Sequence, residues 1–333
     1  MRHMFVINPK SFVDLKSLKA FLLSVEDCFS TGKRAEYKVY VSRYPRDAIA
    51  AVNRYIDSVE ETETVRVYAV GGDGIFFDCL NGVIGHENAE IASVPYGNAN
   101  DFLRAFGEHR VNRFRDIKAL SRSGTILTDI IKCGTNYSIM NTSIGLEANA
   151  VPAVEKYVKY IEALPIIKKL TPLAYNAGGF KCITDKSLRL QKYKLFIDGV
   201  DYSGTYININ IGNTFGNGGK NAPNPYAVPD DGLINVVLIK PMSALKTIIR
   251  FSDYVNGRVG KHPEDFITLQ CKHLKCSSDR ILHVGLDGEY YLTNEIEMEI
   301  IPQAVKVVVP DNITYLNYFD ALIDARKAKG GVI

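Results

Sequence analysis

The chain has 333 residues and a mass of 37.1 kDa, with 46% apolar and 23% charged residues, an ordinary globular mix of a size that suits two domains. Lys and Arg number 40 against 37 Asp and Glu, and the resulting +3, with a pI near 8.4, is too weak for a nucleic-acid binder, which carries a basic cluster. No stretch supplies the ~20 apolar residues of a spanning helix, and MRHMFVINPK lacks the apolar core and cleavage site of a signal peptide, which excludes an integral membrane protein and argues against a secreted one.

The first third alternates apolar runs with helical patterns. MFVINP reads as a strand, and Leu15, Leu18, Leu22 and Val25 recur at the helical period over 15–29. A strand follows at 37–41, a helix at 47–58 and a strand rich in β-branched residues at 65–70. A helix at 75–84, a strand at 91–95 and a helix beginning at 101 complete the series. Strands alternating with helices of this length imply βαβ units and a mainly parallel sheet.

The pattern changes near residue 125. Short strand-like runs separated by turn signals occupy 125–133, 137–141, 188–197, 206–211, 233–239, 266–271, 273–277, 281–284, 290–293 and 297–301. This half reads as β-rich and antiparallel. Helical patterns interrupt it at 148–163 and 243–256, and a last strand at 305–309 leads to a helical stretch over 313–327. The expected organisation is an α/β domain over 1–125 and a β-rich domain over 126–304.

The six cysteines are scattered, which fits reduced, buried thiols. The one cluster, Cys271-Lys-His273-Leu-Lys-Cys276, alternates like a strand, and a zinc site there lacks a second ligand pair.

Four segments could carry chemistry. Gly71-Gly72-Asp73-Gly74 follows a strand and precedes a helix, so backbone N–H groups and a helix start can approach a bulky anion. The plain alternative is a strand-to-helix turn. Neither G-x-x-x-x-G-K-[ST] nor G-x-G-x-x-G is present. Pro95-Tyr96-Gly97-Asn98-Ala99-Asn100-Asp101-Phe102 ends the next strand, where open α/β sheets line a ligand crevice; it equally makes a helix cap at Asn100 or Asp101. Val228-Pro229-Asp230-Asp231-Gly232-Leu233 offers hard oxygens suited to Mg²⁺ or Ca²⁺, or is simply a turn. Leu286-Asp287-Gly288-Glu289 sets two carboxylates about a glycine, as a base and a positioner, or as an Asp-Gly hairpin.

Together these segments resemble the diacylglycerol kinase family of lipid kinases, which includes the sphingosine and ceramide kinases. Gly71–Ile75 is similar to its Gly-Gly-Asp-Gly-Thr element and Pro95–Phe102 to its Pro-x-Gly-Thr-x-Asn-Asp-Phe element. Asn141–Gly145 looks like Asn-x-x-Ser-x-Gly, Asp230–Leu233 like Asp-Asp-Gly-Leu, Asp287–Glu289 like Asp-Gly-Glu, and Asn8-Pro9 like its first loop. The order and spacing agree over roughly residues 4 to 310. The chain departs from the pattern at Ile75 and Asn98, where Thr is usual, at Asp78, where Glu is common, and at Phe12, where Gly is usual.

The resemblance implies a NAD-kinase-like α/β domain with ATP in its cleft, then a β-sandwich domain for the lipid, with 305–333 returning to the first domain. It carries nucleotide contacts to Asn8, Lys10, Ser42, Gly71, Gly72, Gly74 and Asn98. It makes Asp287 the proton acceptor, with Glu289 nearby and Asp73 holding phosphate-bound Mg²⁺ or acting as the base itself. A structural Mg²⁺ would take the Asp231 carboxylate and the Val228 and Leu233 carbonyls. The implied activity is ATP-dependent phosphorylation of a lipid hydroxyl, diacylglycerol to phosphatidic acid first, by a cytoplasmic enzyme that visits the membrane surface and leaves room for a homodimer. The rival expectations are a NAD kinase-like or other small-molecule kinase, and a non-catalytic lipid- or nucleotide-binding relative. The stretch Lys156–Lys194, basic and studded with Tyr, Ile and Leu, suits an anionic membrane, or is a solvated helix with a core-facing stripe.

Overall fold

The computed structural model describes residues 1–29, 37–152, 179–219 and 221–328. They form two compact units: Met1–Met140 with Val228–Gly232 and Ile301–Ile333, and Asn141–Ala227 with Leu233–Ile300. Among the described residues no helix is long and apolar enough to cross a membrane.

The first unit begins with β1 (Arg2–Ile7), α1 (Leu15–Phe29), β2 (Tyr37–Val41), α2 (Asp47–Asp57), β3 (Val65–Gly71), α3 (Asp73–Val83) and β4 (Ala89–Pro95). The strands pair in parallel in the order β2–β1–β3–β4. Every residue of β3 is buried, as a central parallel strand covered on both faces requires. Helix α1 starts where Asp14 and Ser17 exchange bonds, Ser17 N–H to Asp14 Oδ1 at 2.7 Å and Asp14 N–H to Ser17 Oγ at 3.3 Å. It buries Phe21 and Val25, with Leu18 and Leu22 half-buried and Leu15, the first residue of the expected repeat, exposed. Short helices α4 (Asp101–Arg104) and α5 (Ile117–Leu120) follow, then β5 (Thr125–Cys133) and β6 (Asn136–Ser138). These two strands read as part of the β-rich half from sequence, but they pack in the first unit.

The second unit is antiparallel. Strands β7 (Asn141–Gly145), β8 (Gln191–Ile197), β9 (Val200–Asp201), β10 (Gly204–Tyr206), β11 (Asn208–Gly212), β12 (Ile234–Ile239), β13 (Phe266–Cys271), β14 (His273–Leu286) and β15 (Glu289–Val308) are interrupted by α6 (Lys186–Arg189) and α7 (Ala244–Val255). One ladder runs β13–β12–β11–β7–β14. The first half of β14 pairs instead with β8, Leu274 opposite Ile197. A register shift between Ser277 and Leu282 separates the halves, so one strand serves two sheet neighbourhoods, as a sandwich needs. The two runs expected at 273–277 and 281–284 are this one bulged strand. The run expected at 137–141 divides instead between β6 and β7.

The end of β15 returns to the first unit, Val307 beside Ile91 of β4 and parallel to it. Helix α8 (Tyr318–Ala328) starts later than the periodicity suggests, because Asn317 Oδ1 caps it by accepting the Asp320 N–H at 3.0 Å. Most of the pattern expected at 148–163, and Lys156–Lys194 up to residue 178, lies outside the described residues.

Candidate functional site

The loops at the carboxyl ends of β1 to β4 are laced together in the first unit. Asn8 N–H donates to the Val70 carbonyl at 3.0 Å, and Tyr96 and Gly97 N–H both donate to the Gly71 carbonyl at 2.9 and 3.0 Å. A side chain on Gly97 would land on the Gly72 backbone, and one on Gly71 would press on Ile75, Ser11 and Asn8. The two glycine motifs are therefore packed backbone against backbone. Gly72 is the N-cap of α3 and provides no side-chain cap. The first-turn N–H groups of α3 have no capping side chain, and the helix dipole favours an anion at that end.

Around this cradle, Asn8 Oδ1 accepts the Lys10 N–H at 3.1 Å and Lys10 is exposed. Ser42 Oγ donates to Asp47 Oδ1 at 2.9 Å, so this hydroxyl meets a ligand as an acceptor. Asp47 also accepts from Tyr40 OH at 2.9 Å and Arg43 N–H at 3.0 Å. Burial pushes its carboxyl up, but these donors outweigh burial and hold it below the usual range. Asn98 is exposed. Asn100 is what shapes its loop, with φ at +50° and Nδ2 donating to the Gly97 carbonyl at 2.8 Å. Asp73 opens α3, and Ile75 is a core residue at 4% exposure.

Two departures from the family pattern acquire roles. Asp78 Oδ2 accepts the N–H of Arg46, a residue at φ +71° whose guanidinium lies 4.4 Å from the Phe77 ring, so Asp78 fixes the turn after Ser42. Phe12 stacks on Tyr96 at 4.5 Å, joining the first and fourth loops, and Arg115 lies 5.3 Å from the other partner ring of that stack while donating to the Pro95 carbonyl at 2.8 Å. Sequence reasoning missed both functions, because neither residue sits in a recognisable local motif.

Asp287 and Glu289 lie in the second unit. Leu286 and Glu289 pair across a two-residue hairpin of Asp287 at φ +48° and Gly288 at φ +88°, the positive pair a right-twisting hairpin requires. Asp287 is 4% exposed. Asn141 N–H donates to its Oδ1 at 3.0 Å, and the Asp287 N–H returns a bond to the Asn141 carbonyl at 2.9 Å. Two segments noticed separately in the sequence, Asn141–Gly145 and Asp287–Glu289, are thus clasped together.

The expected cation turn is divided: Val228 and Asp231 belong to the first unit and Leu233 opens the second. A residue the sequence did not mark organises it. Asp129, fully buried on β5, accepts the Gly232 N–H at 2.6 Å and the Gln303 N–H at 2.7 Å. Partial burial and the Asp129 charge push the Asp230 carboxyl above its ordinary range. The turn therefore sets acidic side chains and carbonyls close together, a donor set of hard oxygens that fits a small divalent cation. Among the described residues no three His, Cys, Asp or Glu side chains cluster as a metal site. Cys271 and Cys276 are buried and burial pushes both thiols up to about 12, while His273 bonds Glu297 at 2.8 Å.

Residues 2–133 match the diacylglycerol kinase catalytic domain, and residues 143–309 match the YegS C-terminal NAD kinase beta sandwich-like domain. A protein of Shewanella frigidimarina (strain NCIMB 400) named "Probable lipid kinase YegS-like" is 26% identical over 266 residues, 78% of this chain and 81% of that protein. The crystal structure of a protein from Bacillus anthracis str. Sterne described as a diacylglycerol kinase superposes with a TM-score of 0.67 at 17% identity, covering 94% of this chain and 98% of that one. The last similarity shows the fold.

Proposed function

The chain belongs to the lipid kinase family that joins a diacylglycerol kinase catalytic domain to a YegS-type β-sandwich domain, and from that premise we propose that it transfers the γ-phosphate of ATP to a lipid hydroxyl, diacylglycerol first among candidates. The observation that carries the proposal is the phosphate cradle: Gly72 and Gly97 backbone in contact, beneath an α3 N-terminus with no side-chain cap. A triphosphate is the ligand whose charge and bulk suit such a cradle.

Each residue then has a task. Gly71, Gly72 and Gly74 offer backbone to the phosphates where strand turns into helix, and the exposed Asn98 amide donates to them in place of the lost threonine hydroxyl. Asn8, Lys10 and Ser42 meet the nucleotide from the neighbouring loops, Ser42 as an acceptor because its proton is directed at Asp47. Asp73 lies in the first turn of α3, the helix end at which phosphate charge would gather. Asp287 accepts the proton of the lipid hydroxyl as its oxygen attacks the γ-phosphorus and the bond to the β-phosphate oxygen breaks. Glu289, closing the same hairpin, holds the turn that presents Asp287. Mg²⁺ fits this chemistry in two places: with Asp73 at the phosphates, and in the turn of Val228, Asp231 and Leu233, where it would offset the charge shared by Asp129 and Asp230. When bound, it neutralises phosphate charge or braces that turn. The substrate lies at a membrane surface, so the working enzyme is a peripheral visitor to it.

Incubation with γ-labelled ATP and a panel of diacylglycerol, sphingosine, ceramide, phosphatidylglycerol and NAD tests the reading. Label in a lipid, and phosphatidic acid above all, is expected. Label in NAD alone contradicts the lipid assignment, and ATP binding without any labelled product contradicts the kinase assignment.

A further inference from the structure

The second unit contains a chain of buried amides that ends at Asp287 and begins at a carboxylate with no part in the chemistry above. Its polarity is forced from one end. Asn141 Nδ2 faces backbone carbonyls, Gly216 at 2.6 Å and Thr214 at 3.2 Å, so its Oδ1 must face the other way. That oxygen accepts Asn224 Nδ2 at 3.1 Å, and the second Asn224 hydrogen goes to Asn210 Oδ1. Asn210 therefore presents its own Nδ2 to Glu147 Oε2, at 3.2 Å. The same oxygen accepts Asn208 Nδ2 at 2.9 Å and Tyr254 OH at 3.1 Å. Asn208 Oδ1 in turn accepts the Glu147 N–H at 3.1 Å. Asn224 spends both amide hydrogens, one on Asn141 Oδ1 and one on Asn210 Oδ1, so Asn210 is left to donate toward Glu147, and only a side chain that accepts there closes the series.

The series is built at a cost. Asn208, Asn210, Asn224 and Tyr254 are at most 1% exposed, and Asn224 Oδ1 is buried without a hydrogen-bond partner. Turning the Asn224 amide over would satisfy nothing, since it would set an oxygen against two oxygens. Apolar residues at these sheet positions would serve stability as well or better. The glycine at the head of the ladder is also committed to the arrangement: Gly212 stands opposite Asn141, and a side chain on it would fall on the Asn141 and Asn224 amides. What the series delivers is a fixed position for Asn141, whose main chain clasps Asp287 at both the carboxylate and the N–H.

We propose that Glu147 is a positioning residue for Asp287, setting through Asn210, Asn224 and Asn141 the place where the lipid hydroxyl gives up its proton. The proposal rests on the reading of Asp287 as the proton acceptor. Glu147 acts at a distance, through amides, and touches no substrate.

The test compares Glu147→Ala, Glu147→Gln, Asn224→Leu and Asp287→Asn in the full-length chain, with 1,2-dioctanoylglycerol in mixed micelles and MgATP. Misplacing a reacting group by about an ångström costs up to about a hundredfold. Glu147→Ala and Asn224→Leu should each lower kcat about ten- to a hundredfold with the KM for ATP unchanged. Glu147→Gln, whose carbonyl oxygen still accepts, should recover kcat to within about threefold of wild type. If Asp287→Asn is inactive while folded Glu147→Ala and Asn224→Leu turn over like wild type, the positioning role is overturned and the reading of Asp287 stands. Should the alanine variant not fold, the leucine variant decides alone. Full activity in Asp287→Asn overturns both.

Discussion

Asp287 holds a left-handed backbone that most residues avoid, and a Gly beside it and Asn141 across from it keep it there. Replacing it with Asn keeps the shape and the turn but removes the base. We expect kcat to fall by about 10²–10⁴ with the melting temperature unchanged, measured by steady-state transfer and by thermal unfolding. At the cradle, Gly97→Ala has no room, since its methyl would meet Gly72 backbone; the KM for ATP should rise at least tenfold, checked by direct nucleotide titration. Ile75 is different in kind. It is 4% exposed and belongs to the core, so Ile75→Thr should cost about 1–3 kcal/mol in denaturant unfolding without raising kcat. At this scale the sequence was legible where a motif spells out backbone freedom, as in Gly71-Gly72-Asp73-Gly74. It was illegible where a side chain's work depends on a distant partner: Ser42 is read as a contact, but its bond to Asp47 decides which kind, and Asp129 carries no local signal at all.

Elements were legible where periodicity and punctuation agreed. The Leu15–Phe29 helix and the Tyr37–Val41 strand fall where the pattern places them. The long strands β14 and β15 were each read as shorter runs; in β14, polar residues look like turns where a bulge lets them face solvent. The same geometry makes the β14–β15 hairpin sensitive at one point. Gly288 has φ +88° with nothing near it, so Gly288→Val is opposed by backbone conformation alone. It should lose about 1–2 kcal/mol of stability by urea titration, and kcat more than that loss explains, because Asp287 shares the turn.

The whole chain passes between its two units four times, and no stretch of sequence composition announces those crossings. Within the first unit, Asp129 ties Gly232 and Gln303 to β5. Asp129→Ala would strand two part-buried N–H groups and should cost about 1–3 kcal/mol, read as a lowered urea midpoint. Stability should also fall in mild acid. Burial first, then the Arg66 charge and the N-terminal ammonium, lower the His3 imidazole from 6.5 to about 4, so it stays neutral in the fold, bonded to Tyr68 OH at 3.0 Å. The unfolded chain takes up that proton as pH drops below 6.5 and the folded chain does not until near 4. The His3 contribution, about 2–3 kcal/mol, is therefore full above pH 6.5 and lost between 6.5 and 4. His3→Phe should flatten that limb of the unfolding free energy.

The central claim is that this fold moves phosphate from ATP to a lipid hydroxyl with Asp287 as proton acceptor. The measurement that tests it most directly is single-turnover transfer of γ-labelled phosphate to diacylglycerol by wild type and by Asp287→Asn, each shown by titration to bind ATP. Rapid appearance of labelled phosphatidic acid with wild type, and its loss in the variant despite retained ATP binding, is the expected result. Equal rates from the two proteins, or ATP bound by wild type with no lipid labelled, would contradict it.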